Sequence, residues 1–412
     1  MTYQISSTKQ IPQHNLEGPL ELYINQFASN LNVQGYATFT IQYYVRLLVH
    51  LSRWLDQQNF GINSLSREMI DKFILNRKTS NRIRTGDVIT LHRFLDFLHD
   101  LGVIDFKELE VKETAIERIV KAFSDYLVQE RGLTDATLKN YLPTVRTFLS
   151  LRFGNGPVRF TDISSKDLTG FILEQSNRLC LGGVKLIVTT LRSFLRYLLL
   201  RGEIATDLAA CVPTVAHWKL TTLPKSLEPM QVEQVLAHCN RQTKVGQRDF
   251  AILLLLARLG LRAGEIVALS LDDIDWKAGE ITIRGKGATH YRLPLPWDVG
   301  EALVTYLRHG RPSCSMRRIF IRSRAPLVGF ASSVAISNLV CRALKRAGLH
   351  PPHQGAHLFR HSLACSLLNA GASLSEIGEV LRHQHPDTTA IYAKVDLPRL
   401  QGLVQPWPGG EL

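Results

Sequence analysis

Between Gly355 and Val395 the sequence gathers side chains suited to work on a phosphodiester. His357 and Arg360 are three residues apart, so on a helical turn they share one face. His383 follows, and Tyr392 lies nine residues beyond it. A phenol is a nucleophile, a guanidinium is a fixed positive charge for non-bridging phosphate oxygens, and imidazoles donate hydrogen bonds and move protons. Upstream, LGLRAGEIVALS places Arg262 at a corner between a helix that Gly260 breaks and another that starts near Ala263. A charge set against a core needs a partner or a ligand, and Glu265, three residues on, is the internal partner at hand. EITIRGKGATHYRLPLP (280–296) alternates around Gly-Lys-Gly and predicts a β-hairpin with Lys286 at or near its turn. RPSCSMRRIFIRSRAP holds Arg311, Arg317, Arg318, Arg322 and Arg324 around a short apolar strand, a candidate phosphate-facing surface. Singly, each feature has a plainer reading: an Arg–Glu pair that only braces the fold, a solvated turn lysine, a solvated charge run.

The elements that must position these residues are mostly helical. Apolar residues at helical spacing predict a helix from Leu20, others over about 38–57, from Ser66, and over about 87–101, the last ended by Gly102. The outline then recurs. Gly35 matches Gly132 and Tyr44 matches Tyr141, both 97 residues on; Phe94 matches Phe194 and Gly102 matches Gly202, both 100 on. LHRFLDFLHDLG and LRSFLRYLLLRG are nearly one string. A repeat of this length is a duplicated module rather than a solenoid. The expected organisation is a polar lead (1–17), a first helical module (18–110), a second (111–212), a Pro-containing linker (213–229), a C-terminal domain (230–396) with a buried apolar helix over 248–259, and a tail (397–412).

Composition narrows the classes. At 412 residues the chain is long enough for two or three cores. No apolar run reaches membrane-spanning length, and the polar N-terminus lacks a signal-peptide core, so a cytoplasmic protein without membrane contact is expected. The six cysteines lack CxxC spacing, which suggests neither a zinc site nor a disulfide framework. The net charge is +13, unevenly spread: residues 1–110 carry 11 basic and 11 acidic side chains, leaving 38 and 25 for the rest. The cationic portion favours a nucleic-acid partner over a merely basic surface. Within the second module Lys139, Arg146, Lys185 and Arg192 are the candidate DNA contacts.

LGLRAGEI, the GKG hairpin, HLFRHSLA and LRHQHPDTTAIYAKV, in that order, resemble the tyrosine recombinases, the family of phage integrases and Xer recombinases. The resemblance implies a mainly α fold with a small β-sheet in the catalytic domain, preceded here by two helical core-binding-like (SAM-like) modules where simpler members have one. It implies a site-specific recombinase or integrase that cleaves and rejoins DNA through a 3′-phosphotyrosyl intermediate without metal, ATP or other cofactor. It further implies a tetramer, of one or of related recombinases, on double-stranded DNA through a Holliday junction, with a mobile element, transposon or phage, as context. Carried over residue by residue, Tyr392 is the nucleophile, Arg262 and Arg360 clamp the phosphate, Lys286 protonates the leaving oxygen, His357 and His383 assist, and Glu265 orients the set. His361 is then a packing residue and His385 a turn residue. One departure is Arg382, where the family commonly has glycine before the histidine; arginine there suggests an altered turn or an added phosphate contact. Two other readings share these residues: a type IB topoisomerase, and a catalytically silent DNA-binding accessory factor.

Overall fold

Helical spacing in the N-terminal half becomes two four-helix modules of like construction. The structure, a computed structural model, describes residues 18–79, 84, 86–104, 114–154, 156–216, 223–285 and 289–395. The lead 1–17, Lys286 and the tail 397–412 lie outside the described residues. The first module comprises α1 (Glu21–Val33), α2 (Thr38–Gln57), α3 (Arg67–Thr79) and α4 (Asp87–Asp100). The second comprises α5 (Ala115–Gln129), α6 (Asp135–Phe153), α7 (Ser165–Ser176) and α8 (Leu181–Leu200). The first and last helices of each module meet through an edge-to-face aromatic pair, Phe27 with Phe94 at 5.2 Å and Phe123 with Phe194 at 5.2 Å. All four rings are buried, and such pairs add roughly 0.5–1.5 kcal/mol beyond the area they bury. The paired glycines also agree: Gly35, Gly132, Gly102 and Gly202 all have left-handed backbones.

The chain forms two compact units, one from Met1–Asp105 and Thr222–Leu412, the other from Phe106–Thr221. In the first unit the N-terminal module touches the C-terminal half, where the Leu327 N–H donates to the Gln34 carbonyl at 2.9 Å. Gly35 faces the Leu327 side chain with no room for a Cβ.

The C-terminal half is built on α10 (Lys244–Leu259), which buries Ile252, Leu253, Leu255 and Leu256 completely. Burying a leucine side chain contributes about 1.5–3 kcal/mol, which makes this helix the spine of the domain core. It starts at Thr243, whose hydroxyl accepts from the Gly246 N–H at 3.0 Å. Packed around it are α9 (Pro229–Ala237), α12 (Trp297–Thr305), continued by a π-helical turn Tyr306–Gly310, α13 (Ser333–Arg346) and α14 (His357–Asn369). The short helices are α11 (Ala263–Ala268) and α15 (Leu374–Val380).

The predicted hairpin is present. Strands β1 (Ile274–Asp275), β2 (Glu280–Arg284) and β3 (His290–Pro294) form an antiparallel sheet in the order β1-β2-β3, with Ile281 opposite Leu293 and Arg284 opposite His290. Alternation buries Ile281 and Ile283 against the core and turns Glu280, Thr282 and Arg284 outward.

The predicted apolar strand among the arginines is different. Ile319, Phe320 and Ile321 are buried, but they form only isolated bridges, Ser270 with Arg318 and Ile321 with Gly329. Their backbone is satisfied from loops and a side chain: the Ile319 N–H donates to the Leu269 carbonyl at 3.0 Å and the Ile321 N–H to the Tyr306 hydroxyl at 3.2 Å. Three of the five arginines turn inward or pair rather than forming an open cationic face. Arg311 donates to the Ile319 and Arg318 carbonyls, Arg318 to the Ala268 carbonyl, and Arg317 pairs with Asp272. No helix among the described residues is long and apolar enough to cross a membrane.

Candidate active site

Three chain corners converge on one cavity. Gly260 ends α10 in a left-handed conformation (φ 56°), where a Cβ would press on Leu381 and Leu363. The chain therefore turns sharply and sets Arg262 at the N-cap of α11. Glu265, at the third position of that helix, accepts from the Arg262 backbone N–H at 2.8 Å through one oxygen and from its guanidinium at 2.8 Å through the other. The carboxylate is buried while the guanidinium side chain stays 39% exposed, so Arg262 is held by its inner face and open on its outer one. Its Nη2 also donates to the Arg382 carbonyl at 3.3 Å.

The second corner is the start of α14. His357, its first residue, lines the cavity; protein packed around the ring, then the charges of Arg360 and Arg262, hold its pKa below the usual imidazole range. Arg360, one turn on, is buried, with its guanidinium donating to the Gly260 carbonyl at 2.5 Å and to the Leu381 carbonyl. Burial and the nearby Arg262 and Arg382 charges lower its pKa to about 10, so it remains a cation at neutral pH.

The third corner follows α15. Ser373 and Glu376 cap that helix reciprocally, Glu376 N–H to Ser373 Oγ at 3.2 Å and Ser373 N–H to the Glu376 carboxylate at 2.7 Å. Such a cap contributes about 1 kcal/mol and fixes where the helix ends. Arg382 takes a left-handed backbone just beyond it (φ 57°), a conformation that costs an L-residue roughly 1–2 kcal/mol. His383 comes next, its Nδ1 2.7 Å from the Thr389 hydroxyl. Burial, then Arg360, Arg262 and Arg382, push its pKa down to about 4, so it is neutral at pH 7.

The resulting cavity, about 680 Å³, is lined by Arg262, Arg284, His357, Arg382 and His383 among others. The hairpin residues Arg284, Gly285 and Tyr291 also line it; Lys286, next in sequence after Gly285, is outside the described residues.

Tyr392 lies on a 3-10 turn, Ala390–Val395, packed with Ala364, Leu368, Ile377 and Leu381. Its side chain is 1% exposed, and burial raises its pKa to about 12. Its hydroxyl is 2.8 Å from Nδ1 of His361, with ring centroids 5.7 Å apart. His361 is thus more than packing: it is the partner of the phenol. Burial, then His357 and Arg360, keep its imidazole below its usual pKa, so the ring beside the phenol is neutral. Adjacency to Arg360 in the sequence was the only available signal, and it says nothing about a partner 31 residues away.

Arg382 also departs from the reading as a phosphate contact. Its side chain is 4% exposed and turned inward, with Nη2 on Glu265 at 3.2 Å and Nη1 on the Val380 carbonyl at 3.1 Å. In the unit formed by Phe106–Thr221, Lys139 and Lys185 are exposed, as a phosphate contact requires. Arg146 is instead paired with Glu117 through two bonds of 2.6 and 2.9 Å, and Arg192 donates to the Val212 carbonyl and Thr214 hydroxyl at 2.8 and 2.9 Å. Arg192 also lines a hollow of about 320 Å³ with Arg131, Arg196 and Tyr141, which adds Arg131 to the basic set.

Comparison with known proteins bears on this site. The family model described as the phage integrase family matches residues 225–398. The chain is 44% identical over 395 residues to the candidate integrase/recombinase y4rA of Sinorhizobium fredii, covering 95% of this chain and 96% of that protein. It is 30% identical over 289 residues to the tyrosine recombinase XerD of Listeria monocytogenes, covering 69% of this chain and 96% of that one. Among solved structures it is similar to XerH site-specific recombinase bound to a palindromic difH substrate (TM-score 0.54, 18% identity, 74% of this chain and 92% of that one). It is also similar to a lambda integrase tetramer bound to a Holliday junction (TM-score 0.51, 19% identity, 72% and 88%). At these identities the structural likeness is one of fold. The relative that matches at 44% does so across nearly the whole of both proteins, and the family model spans the segment holding Arg262, Arg360 and Tyr392, so the chain belongs to the tyrosine recombinase family of phage integrases and Xer recombinases.

Proposed function

We propose that this protein cuts and rejoins double-stranded DNA at a specific site through a 3′-phosphotyrosyl link to Tyr392, in service of a mobile element, with no metal or nucleotide cofactor. The observation that carries this reading is the cavity and its support: Arg262, held by the buried Glu265 carboxylate, lines it with the neutral His357 and His383, while the buried Arg360, one turn along α14 from His357, is braced by the Gly260 and Leu381 carbonyls. Such a site suits a single phosphodiester. A pentacoordinate phosphorus gathers charge on its equatorial oxygens, and arginine forks meet it with paired hydrogen bonds. Loss of one such cation raises the barrier by about 3 kcal/mol, roughly a hundredfold in rate.

In the reaction, the Tyr392 oxygen forms a bond to phosphorus as the bond to the 5′-oxygen breaks. His357 assists proton transfer, and Lys286 delivers a proton to the departing 5′-oxygen, which leaves as a hydroxyl. His383, neutral, donates a hydrogen bond to the phosphate. Attack of another 5′-hydroxyl reverses the step, with phenolate as leaving group, so bond energy is conserved. The buried phenol must leave His361 to reach the phosphate, which makes movement of the Ala390–Val395 turn part of the cycle. The assembly on DNA is a tetramer, the form named for the lambda integrase neighbour.

The test is a suicide duplex bearing the protein's site, the site being found by selecting bound sequences from a random pool. An SDS-resistant adduct is expected that persists in excess EDTA and is lost in Tyr392→Phe while DNA binding is kept. Cleavage abolished by EDTA and restored by magnesium contradicts the proposal.

A further inference from the structure

We infer that Arg382 is a positioning residue of the active site, sharing the buried Glu265 carboxylate with Arg262 and so fixing the guanidinium that meets the scissile phosphate. The inference rests on the catalytic reading of Arg262 proposed above.

Three observations carry it. The first is the backbone: Arg382 occupies a left-handed position (φ 57°) that glycine fills without strain, so the arginine side chain is retained against a local conformational preference. The second is where that side chain goes. It is 4% exposed, and its Nη2 donates to Glu265 Oε2 at 3.2 Å, the same oxygen that takes the Arg262 backbone N–H at 2.8 Å. Its Nη1 faces the Val380 and Leu259 carbonyls at 3.1 and 3.5 Å, while its buried Nε has no partner among the described residues. The third is the return contact: the Arg382 carbonyl accepts from Arg262 Nη2 at 3.3 Å.

Arg382 therefore meets the support of Arg262 twice, through a shared carboxylate and through its own backbone. Glycine would keep only the second contact. The charge balance points the same way. Two guanidiniums divide one carboxylate, so Glu265 orients Arg262 without cancelling the positive charge a phosphate needs. Arg382 lines the cavity, but its side chain is buried and turned to Glu265, so this role is one of support rather than of open phosphate contact. A group acting on a ligand through a second residue typically changes function about 10–100-fold when removed.

The experiment compares Arg382→Met, Arg382→Gly and Arg382→Lys, each alone and the first also combined with Glu265→Gln, in the full chain. Duplex affinity is read by fluorescence anisotropy and covalent-adduct formation by single-turnover kinetics on the suicide duplex. Affinity is expected to stay within about twofold throughout, while Met and Gly slow adduct formation about tenfold or more and Lys restores part of it. The double variant is expected within about twofold of Glu265→Gln alone, since residues acting through one group are not additive. Should Arg382→Met fail to fold, Arg382→Gly, which suits the left-handed backbone, replaces it in both arms. Wild-type rates in the Met or Gly variants, losses that multiply in the double variant, or a rate loss matched by lost affinity would overturn the inference. A wild-type chain that forms no adduct sinks the catalytic reading itself, and the inference with it. An adduct that depends on Tyr392 but is indifferent to Arg382 overturns this inference alone.

Discussion

His357, His361 and His383 are all held below the ordinary imidazole pKa, chiefly by burial, with the surrounding arginines adding to the shift. The consequence is a sign for pH. An unfolded histidine takes up a proton near pH ~6.5, whereas His383 in the folded chain resists until about 4. Below pH ~6.5 the unfolded state binds more protons, so stability is full above that pH and is lost as pH falls toward the folded values. Melting temperature should therefore drop between pH 7 and 5, and drop less in His383→Gln; a melting temperature that rises on acidification contradicts the assignment. Four catalytic candidates were legible at this scale because His357, Arg360, His383 and Tyr392 lie within one short stretch. The contacts of His361 with Tyr392 and of Arg382 with Glu265 were not, since they span 31 and 117 residues and exist only once α11, α14 and α15 have packed.

Elements decide which of the sequence signals reach the cavity. The hairpin does: β2 and β3 pair from Glu280–Pro294 to Arg284–His290, and Arg284 and Gly285 stand on the cavity wall. Alternation and Gly-Lys-Gly made the hairpin readable, because period-2 burial and turn chemistry are local properties. The arginine-rich run is only partly readable, because whether a cation faces solvent or a carbonyl depends on distant partners such as Asp272 and Ala268. With Lys286 as the general acid, Lys286→Ala should slow cleavage about 10²–10⁴-fold. A substrate with sulfur in place of the bridging 5′-oxygen, whose thiolate leaves without protonation, should recover most of that loss. Equal defects on both substrates would remove Lys286 from the acid role.

At the scale of the whole molecule, charge and repetition were plain in the sequence, while the assignment of parts to compact units was not. The neutral first module joins the C-terminal half in one unit, through contacts such as Gln34 with Leu327 that no local pattern encodes. The basic second module forms the other. Phosphate contacts set the salt dependence of DNA binding, so the slope should follow the basic portion of the chain. Deleting 1–110 should keep most of the salt slope in binding isotherms. A slope that collapses without 1–110 would make the first module a principal DNA-binding element.

Under the proposed chemistry, Tyr392 becomes the covalent link to DNA on a phosphate held by Arg262 and Arg360. The most direct measurement is peptide mapping by mass spectrometry of the adduct trapped on a suicide duplex. The expected result is a nucleotide joined through its 3′-phosphate to the Tyr392 hydroxyl, within the peptide that follows His383. A nucleotide on any other tyrosine, Tyr291 or Tyr306 included, or a link through a 5′-phosphate, would contradict it.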